Sequence, residues 1–481
     1  MLFNSYEFIF IFFPFVLVIY FILGNKLSDA ANLWLMLASL FFYGWWNTDY
    51  LILLINSIAL NYIFAGEILK ARQENNFKKS KIYFSVGLIF NLGLLGYYKY
   101  FNFFLENFNK LGANFELFNV ILPLGISFFT ITQLLYLFDC YEGVAKDHNL
   151  VNYALFVSFF PHLMAGPILY HRQMMKQFDN PTLRKIDWSN ISSGLTLFVI
   201  GLVKKVVIAD QLSPYVGLNY GHTAELDCLT AWLTAISYML QLYFDFSGYS
   251  DMAVGLSRMM NLEIPINFNS PYRATGMINF WQRWHISLTN AITACVYMPI
   301  VKYLKTRTLA HTITASFIAF FIVGIWHGAG WTFVIFAVMN ALGVVINYVW
   351  KYYKHSMPKF AAHIVTLFYV LTTMVFFRAA SVDDALNVFK AMFVMTEIVF
   401  PQKVVNLAAH FDLTIQVGNV PGTLPKLIFV TAVLIVAFCP NSNKLIKDFK
   451  PSYIWLIATV IGFITSILFM TQPTEFLYFQ F

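Results

Sequence analysis

Between Thr308 and Trp350 the chain carries no Asp, Glu, Lys or Arg, and its titratable groups near neutral pH are His311 and His327. His327 lies in Gly-Ile-Trp-His-Gly-Ala-Gly-Trp, beside Trp326 and among three glycines. Small residues let a neighbouring backbone come close and leave room beside the imidazole. A neutral imidazole can take the proton of a hydroxyl as that hydroxyl attacks a thioester. A histidine bridging two helices by hydrogen bonds explains the same residue without catalysis, and the residues alone leave both readings open.

Two further segments concentrate polar groups that apolar surroundings make expensive. Residues 241–256 hold Asp245, Ser247, Ser250 and Asp251 around Gly248. Gly248 is expected to break a helix there, leaving the acids as the polar wall of a cavity, as support for a catalytic group or as caps of a following helix. Residues 266–288 hold Asn269, Pro271, Gly276, Trp281, Arg283 and His285. A turn over 271–276 and a helix from Met277 would set Trp281 and His285 four apart on one face. Arg283 would then point to a phosphate or to the interface, because its planar fork suits phosphates. An interfacial helix anchored by Trp and Arg is the plainer alternative.

These groups need elements to hold them, and composition names the class. Of 481 residues, 59% are hydrophobic and 11% charged, too few charges to cover a water-facing surface. Apolar runs near 6–23, 31–46, 50–66, 82–97, 119–138, 150–168, 191–212, 226–245, 286–302, 309–326, 330–350, 361–377, 424–440 and 452–470 approach the length of about 20 residues that spans a bilayer. The expectation is an all-α polytopic membrane protein, a single membrane-embedded domain over 1–481, with about 11–13 crossings. Residues 97–118, with Lys99 and Lys110 among Phe and Tyr, read as interfacial or re-entrant, and broken helices at membrane depth imply an internal cavity. An Asp, Lys or Arg at a helix centre costs roughly 2.5–3.5 kcal/mol to insert, so those inside the runs are functional candidates.

The N-terminal run lacks a basic flank and a small-residue cleavage site, so it reads as a retained span. Lys70, Arg72, Lys78, Lys79 and Lys81 mark a cytoplasmic connector after three spans, which places the N-terminus outside. Arg172, Lys176, Arg184 and Lys185 mark another cytoplasmic loop, and Lys444, Lys447 and Lys450 put Phe481 outside. The charge of +7 falls in such clusters, so a membrane explains it and nucleic acid is not implied. Cys140, Cys228, Cys295 and Cys439 are isolated, and no metal or disulfide frame follows from them. Residues 398–423 form the longest late polar connector, to which no role is assigned.

FFPHLMAGPI, GLVKKVVIAD, LQLYFDFSGYSDMAVGLSRM, NFNSPY, FWQRWHISL, GIWHGAGWTF, FFRA and the terminal FLYFQF stand in one order along nearly the whole chain. Together they resemble the membrane-bound O-acyltransferase family, nearest to its bacterial alginate and peptidoglycan O-acetyltransferase branch. The resemblance implies a ring of helices around a funnel or tunnel, with His327 catalytic and His285 lining the site. It implies acetyl-CoA as donor rather than as a bound cofactor. It also implies a polysaccharide acceptor, reached directly or through an extracytoplasmic serine-hydrolase-like partner, at a bacterial inner membrane. Asp245, Ser247, Asp251, Asn269, Trp281, Arg283 and Trp326 become site-lining or supporting residues. The chain departs from the pattern in having His162 where Gln is common and Asn340 where a second His is common. It also lacks the Arg-Asp pair after RWHISL, which bears on the acceptor and partner more than on the reaction. D-alanyl transfer from a carrier protein is the nearest alternative. A transporter for a lipid-linked sugar is the alternative of another class, disfavoured because no internal repeat is evident.

Overall fold

The structure is a computed structural model that describes residues 1–25, 27–146, 148–306, 308–393, 399–400, 416–417, 425–470 and 477. Helix dominates it. The exception among the described residues is a two-residue parallel pairing of Val399–Phe400 with Gln416–Val417; the rest of the connector at 398–423 lies outside the described residues. Five helices are long and apolar enough to cross a bilayer: Thr48–Gln73, Trp188–Gly221, Leu309–His327, Trp331–Tyr352 and Lys359–Arg378. Three shorter apolar helices, Phe8–Gly24, Lys426–Phe438 and Tyr453–Phe469, accompany them. Large hydrophobic side chains such as Phe10, Ile63, Ile364 and Ile464 stay exposed on the outer faces of these helices, as lipid-facing residues do.

The polar segment at 241–256 departs from expectation. Cys228–Met259 is one unbroken helix of 32 residues that runs straight through Gly248. The glycine there lets another helix approach. A Cβ on Gly248 would lie 2.7 Å from the Gly201 carbonyl oxygen, and one on Gly201 would lie 2.5 Å from that of Gly248. Two turns away, Gly194 and Gly255 face each other in the same manner, at 2.7 and 2.6 Å. The pairs 194/255 and 201/248 run in opposite senses, so two antiparallel helices are pressed together along a glycine seam. In lipid, helices associate through such packing of small residues rather than through exclusion of water.

Beyond the seam the Trp188–Gly221 helix widens into π-helical turns over Val203–Ala209, and the consecutive Lys204 and Lys205 both reach the Cys228–Met259 helix. Lys204 Nζ lies 2.6 Å from Asp251 Oδ2 and Lys205 Nζ 2.8 Å from Asp245 Oδ1. Asp245 and Asp251 are therefore buried ion-pair partners, neither helix caps nor a cavity wall open to solvent.

Other breaks follow local chemistry. The run at 150–168 does not form one helix. Leu150–Ser158 ends, and Phe160–Leu163 restarts around Pro161, whose ring and missing N–H disfavour a continuous helix. The Phe77–Leu95 helix continues through a π-helical turn, Gly96–Tyr100, into Phe101–Lys110, so Lys99 lies within a helical run rather than in a separate re-entrant piece. The Leu309–His327 and Trp331–Tyr352 helices form a tight hairpin. A Cβ on Gly324 would fall 2.3 Å from Ala337 Cα, and one on Gly328 would fall 2.2 Å from the Phe333 ring.

Valine at 248 must separate the glycine seam. Gly248→Val should therefore lose about 1–3 kcal/mol or fail to accumulate. Gly93→Val, where an added Cβ meets nothing within 4 Å, should be tolerated. Melting of both variants in detergent, followed by gel filtration, checks this.

Candidate active site

His327 is the last residue of its helix. The final carbonyls of a helix lack intrahelical donors, and here other segments supply them. Tyr100 Oη donates to the Ile325 carbonyl at 2.8 Å, and Lys99 Nζ donates to those of Trp326 and His327 at 2.8 and 2.9 Å. A cation at a helix C-terminus also complements the helix dipole. The imidazole is buried among the Phe377, Phe336 and Trp326 rings, at centroid distances of 5.2, 5.9 and 5.2 Å. His311, the other histidine of this charge-free stretch, sits at the exposed start of the same helix against the Thr306 carbonyl.

The second imidazole lies close by: the His285 and His327 rings are 6.4 Å apart. His285 reaches this place by a route that sequence spacing did not give. The helix from Met277 stops at Trp281, and His285 then takes a left-handed backbone, φ 44° and ψ 52°, before Ile286–Ile292 begins. Trp281 and His285 therefore do not share a helical face. Trp281 packs on Phe320 of the His327 helix, while His285 is wedged against Phe246, with ring centroids 4.8 Å apart. Trp326 stands 6.1 Å from the His285 ring and 5.4 Å from that of Phe128.

Asn267 holds His285. Its Oδ1 accepts from Ser287 Oγ at 2.9 Å and from the Ser287 amide at 3.3 Å, and it lies 3.1 Å from His285 Nδ1. An oxygen already accepting twice requires the histidine to donate. This assigns the proton to Nδ1 and leaves Nε2 as the acceptor nitrogen. Asn267 Nδ2 in turn donates to Ser250 Oγ at 3.4 Å, which ties the arrangement to the Cys228–Met259 helix.

The remaining expected residues divide into those near this pair and those elsewhere. Trp326 flanks it, and Trp281 packs on Phe320 of the His327 helix. Ser247 is buried on the Cys228–Met259 helix. Asp245 accepts from the Leu477 amide at 3.0 Å besides pairing with Lys205, and Asp251 accepts from Ser442 Oγ at 2.9 Å besides pairing with Lys204. Both support the helix crossing rather than line the histidine site. Asn269 is exposed and receives Asn441 Nδ2 at 2.8 Å. Arg283 donates to Asn279 Oδ1 and to the Asn269 carbonyl, so its fork braces its own loop. His162 is buried with Nε2 3.1 Å from the Phe156 carbonyl, and Asn340 is buried and bonds Phe336 O within its helix. Both act as packing residues.

Sequence reasoning passed over Asn267, Lys99, Tyr100 and the Lys204–Lys205 pair as site or support residues. A lysine inside an apolar run is itself a signal, and that signal was present at Lys204 and Lys205 within the run at 191–212. Among the described residues, no three His, Cys, Asp or Glu side chains converge to hold a metal ion.

The arrangement can do acid–base chemistry on a small group held between two imidazoles in a dry aromatic setting. The family model described as MBOAT, membrane-bound O-acyltransferase family, matches residues 114–383. The chain is 36% identical to a peptidoglycan O-acetyltransferase of Helicobacter pylori, over 100% of this chain and 98% of that protein. It is 34% identical to a probable alginate O-acetylase of Pseudomonas aeruginosa, over 82% of this chain and 75% of that one. It is 29% identical to a teichoic acid D-alanyltransferase of Bacillus subtilis, over 47% and 58% of the two chains.

Removing Lys205 leaves the buried Asp245 and the half-buried Asp210 without this cation. Lys205→Met should cost about 3–5 kcal/mol, and adding Asp245→Leu should recover much of it. Unfolding titrations of the single and double variants in mixed micelles measure both.

Proposed function

This chain belongs to the membrane-bound O-acyltransferase family, and from that premise we propose that it carries an acetyl group from cytoplasmic acetyl-CoA to an envelope polysaccharide, peptidoglycan foremost. The donor, the acceptor and the residue roles are the reading that the site favours. One observation carries it: two buried imidazoles 6.4 Å apart, in a chain that matches a peptidoglycan O-acetyltransferase along its whole length.

His327 acts as the base. Its imidazole takes the proton of the acceptor hydroxyl as that oxygen bonds to the thioester carbonyl carbon, and the carbonyl π pair moves onto oxygen. The tetrahedral intermediate then re-forms the carbonyl and breaks the C–S bond. The proton held on His327 passes to the departing thiolate, so coenzyme A leaves as the thiol. His285, fixed by Asn267 with Nδ1 as donor and Nε2 as acceptor, lines the reacting centre and orients the acceptor hydroxyl. Holding both reactants in a narrow site removes much of the entropic barrier and keeps water from the thioester. Trp326 and Phe246 are the aromatic walls, Trp281 packs on the His327 helix, and Asp245, Asp251 and Ser247 belong to the supporting helix.

In this reading the whole chain, 1–481, is one acyltransferase domain of a bacterial inner membrane with its N-terminus outside. The acetyl group then reaches the polysaccharide directly or through an extracytoplasmic serine-hydrolase-like partner. The teichoic acid D-alanyltransferase match covers about half of the chain, so D-alanyl transfer stands second.

Transfer from radiolabelled acetyl-CoA by the protein in lipid nanodiscs, with envelope polysaccharide supplied, tests the reading. His327→Ala should abolish transfer while eluting and melting as the parent protein does. If His327→Ala retains transfer, the base lies elsewhere. If it unfolds, the histidine is a structural bridge. Asn267→Ala should lower kcat by roughly 10- to 100-fold, in line with loss of an acid–base group's orientation, and leave the KM for acetyl-CoA nearly unchanged.

A further inference from the structure

Between Glu263 and Asp383 the chain carries no Asp or Glu, although nine of its lysines and arginines fall there. Three of these, Lys351, Lys354 and Lys359, crowd with His355 around the connector that joins the Trp331–Tyr352 and Lys359–Arg378 helices. Among the described residues no carboxylate lies within ion-pair distance of any of the three. Lys359 also opens its helix, whose first turn holds no acid. The helix dipole disfavours a cation at that end.

The connector has a defined shape. Lys354 takes a left-handed backbone, φ 57°, and its amide bonds the Lys351 carbonyl at 3.0 Å. The His355 amide bonds the Trp350 carbonyl at 3.1 Å, which closes the helix end as a Schellman turn does. The His355 imidazole is thereby set against the Trp350 indole, with ring centroids 5.0 Å apart. Trp350, Tyr352 and Tyr353 are exposed here, and such aromatic side chains mark a boundary between membrane and water.

Beneath this basic rim a cavity of about 400 Å³ lies between the two helices. Lys351, His355 and Lys359 line its outer end, and Gly343, Ile346, Val365 and Tyr369 line its depth. At ~1.5 Å per residue, Gly343 lies about 12 Å along its helix from Lys351. The inner wall is closed. A Cβ on Gly343 would lie 2.6 Å from the Tyr369 ring, and one on Gly276 would lie 2.9 Å from Asn347 Oδ1. The outer side is open, because Ile346 and Val365 are 58% and 55% exposed.

This end of the helices is on the same side as the connector at 70–81. The antiparallel hairpin sets it beside the start of the Leu309–His327 helix. Lys302, which precedes that start, pairs with Glu142, whose carbonyl accepts from Arg72. That side is cytoplasmic in the orientation proposed above.

We propose that this cavity holds a phospholipid with an anionic headgroup, phosphatidylglycerol, its phosphate among Lys351, His355 and Lys359 and one acyl chain in the apolar slot. The tail gives little preference, since it leaves one apolar setting for another. The phosphate gives it, because it meets cations that no protein carboxylate neutralises. The site stands apart from the two imidazoles and does not depend on the acyl-transfer reading.

Native mass spectrometry of the whole protein in micelles, offered phosphatidylglycerol and phosphatidylcholine with the same acyl chains, tests it. The parent should retain phosphatidylglycerol over phosphatidylcholine by about 10-fold or more, the range that a few basic side chains command at an anionic headgroup. Lys351→Gln/His355→Gln/Lys359→Gln should bring the two lipids near parity. Lys444→Gln/Lys447→Gln/Lys450→Gln takes at least as much charge from another exposed connector and should keep the preference. Ile346→Trp and, independently, Val365→Trp fill the slot and should lower retention of phosphatidylglycerol about 5-fold or more. All of these side chains are exposed, so each variant should melt as the parent does. Equal retention of both lipids by the parent, or the same loss in both charge variants, overturns the site. Retention unmoved by either tryptophan overturns the slot. Displacement of phosphatidylglycerol by inorganic phosphate or by coenzyme A assigns the rim to a soluble phosphate, and a dimer that the tryptophans dissolve seats a second copy there; either result overturns the lipid.

Discussion

The structure depends on two lysine–aspartate pairs buried between the Trp188–Gly221 and Cys228–Met259 helices. In a low dielectric a charge without its partner is prohibitively costly, whereas a well-placed pair is tolerable. Lys204 with Asp251 and Lys205 with Asp245 therefore act as register pins. A slip of the helices by one residue would leave buried charges unmatched. The glycine seam at 194/255 and 201/248 makes the contact possible by bringing the backbones together. Two consecutive lysines on a regular helix point about 100° apart; the π-helical turns at Val203–Ala209 bring both to the same partner helix. The consequence reaches the chemistry. Between the two pinned aspartates, the same helix carries Phe246 against His285 and Ser250 beside Asn267.

His285 is held where its own backbone would not go unaided. A left-handed conformation at a residue other than glycine is a strained state of about 1–3 kcal/mol, which persists only when its surroundings over-determine it. Here they do. The Ile286 amide bonds the Asn267 carbonyl, the Thr289 amide bonds the His285 carbonyl, and the side chain of Asn267 fixes Ser287 and the imidazole together. The strain turns the imidazole out of its helix and towards His327, an orientation that a regular helix from Met277 to Ile292 would not provide.

Much of this was legible in the sequence, and the failures have physical causes. The spanning runs were readable because lipid demands length and apolarity, and the helices at 309–327, 331–352 and 359–378 fall within two residues of their apolar stretches. His327 stood out in a charge-free stretch and His285 in the polar segment at 266–288, and the structure brings them together. Gly248 was misread because a glycine in a helix signals either a break or a close approach, and only the partner helix decides between them. Asn269 drew attention where Asn267 acts: Asn267 is buried and Asn269 exposed, and the sequence does not say which of two asparagines so close together meets His285. Lys99 read as an interfacial charge, and Lys204 and Lys205 were passed over inside the run at 191–212; their partners lie between 5 and 228 residues away.

One of those long-range contacts bears on how the molecule is made. The backbone amide of Leu477 donates to Asp245, 232 residues earlier in the chain. A ribosome delivers the helix bearing Asp245 long before it delivers Leu477, so the carboxylate enters the bilayer with that acceptor unfilled and keeps it so until Leu477 arrives. The central helix pair can dock early on its lysines alone. The finished arrangement waits for the chain to thread back to its own middle, and surveillance of unfinished membrane proteins would find its target in that interval.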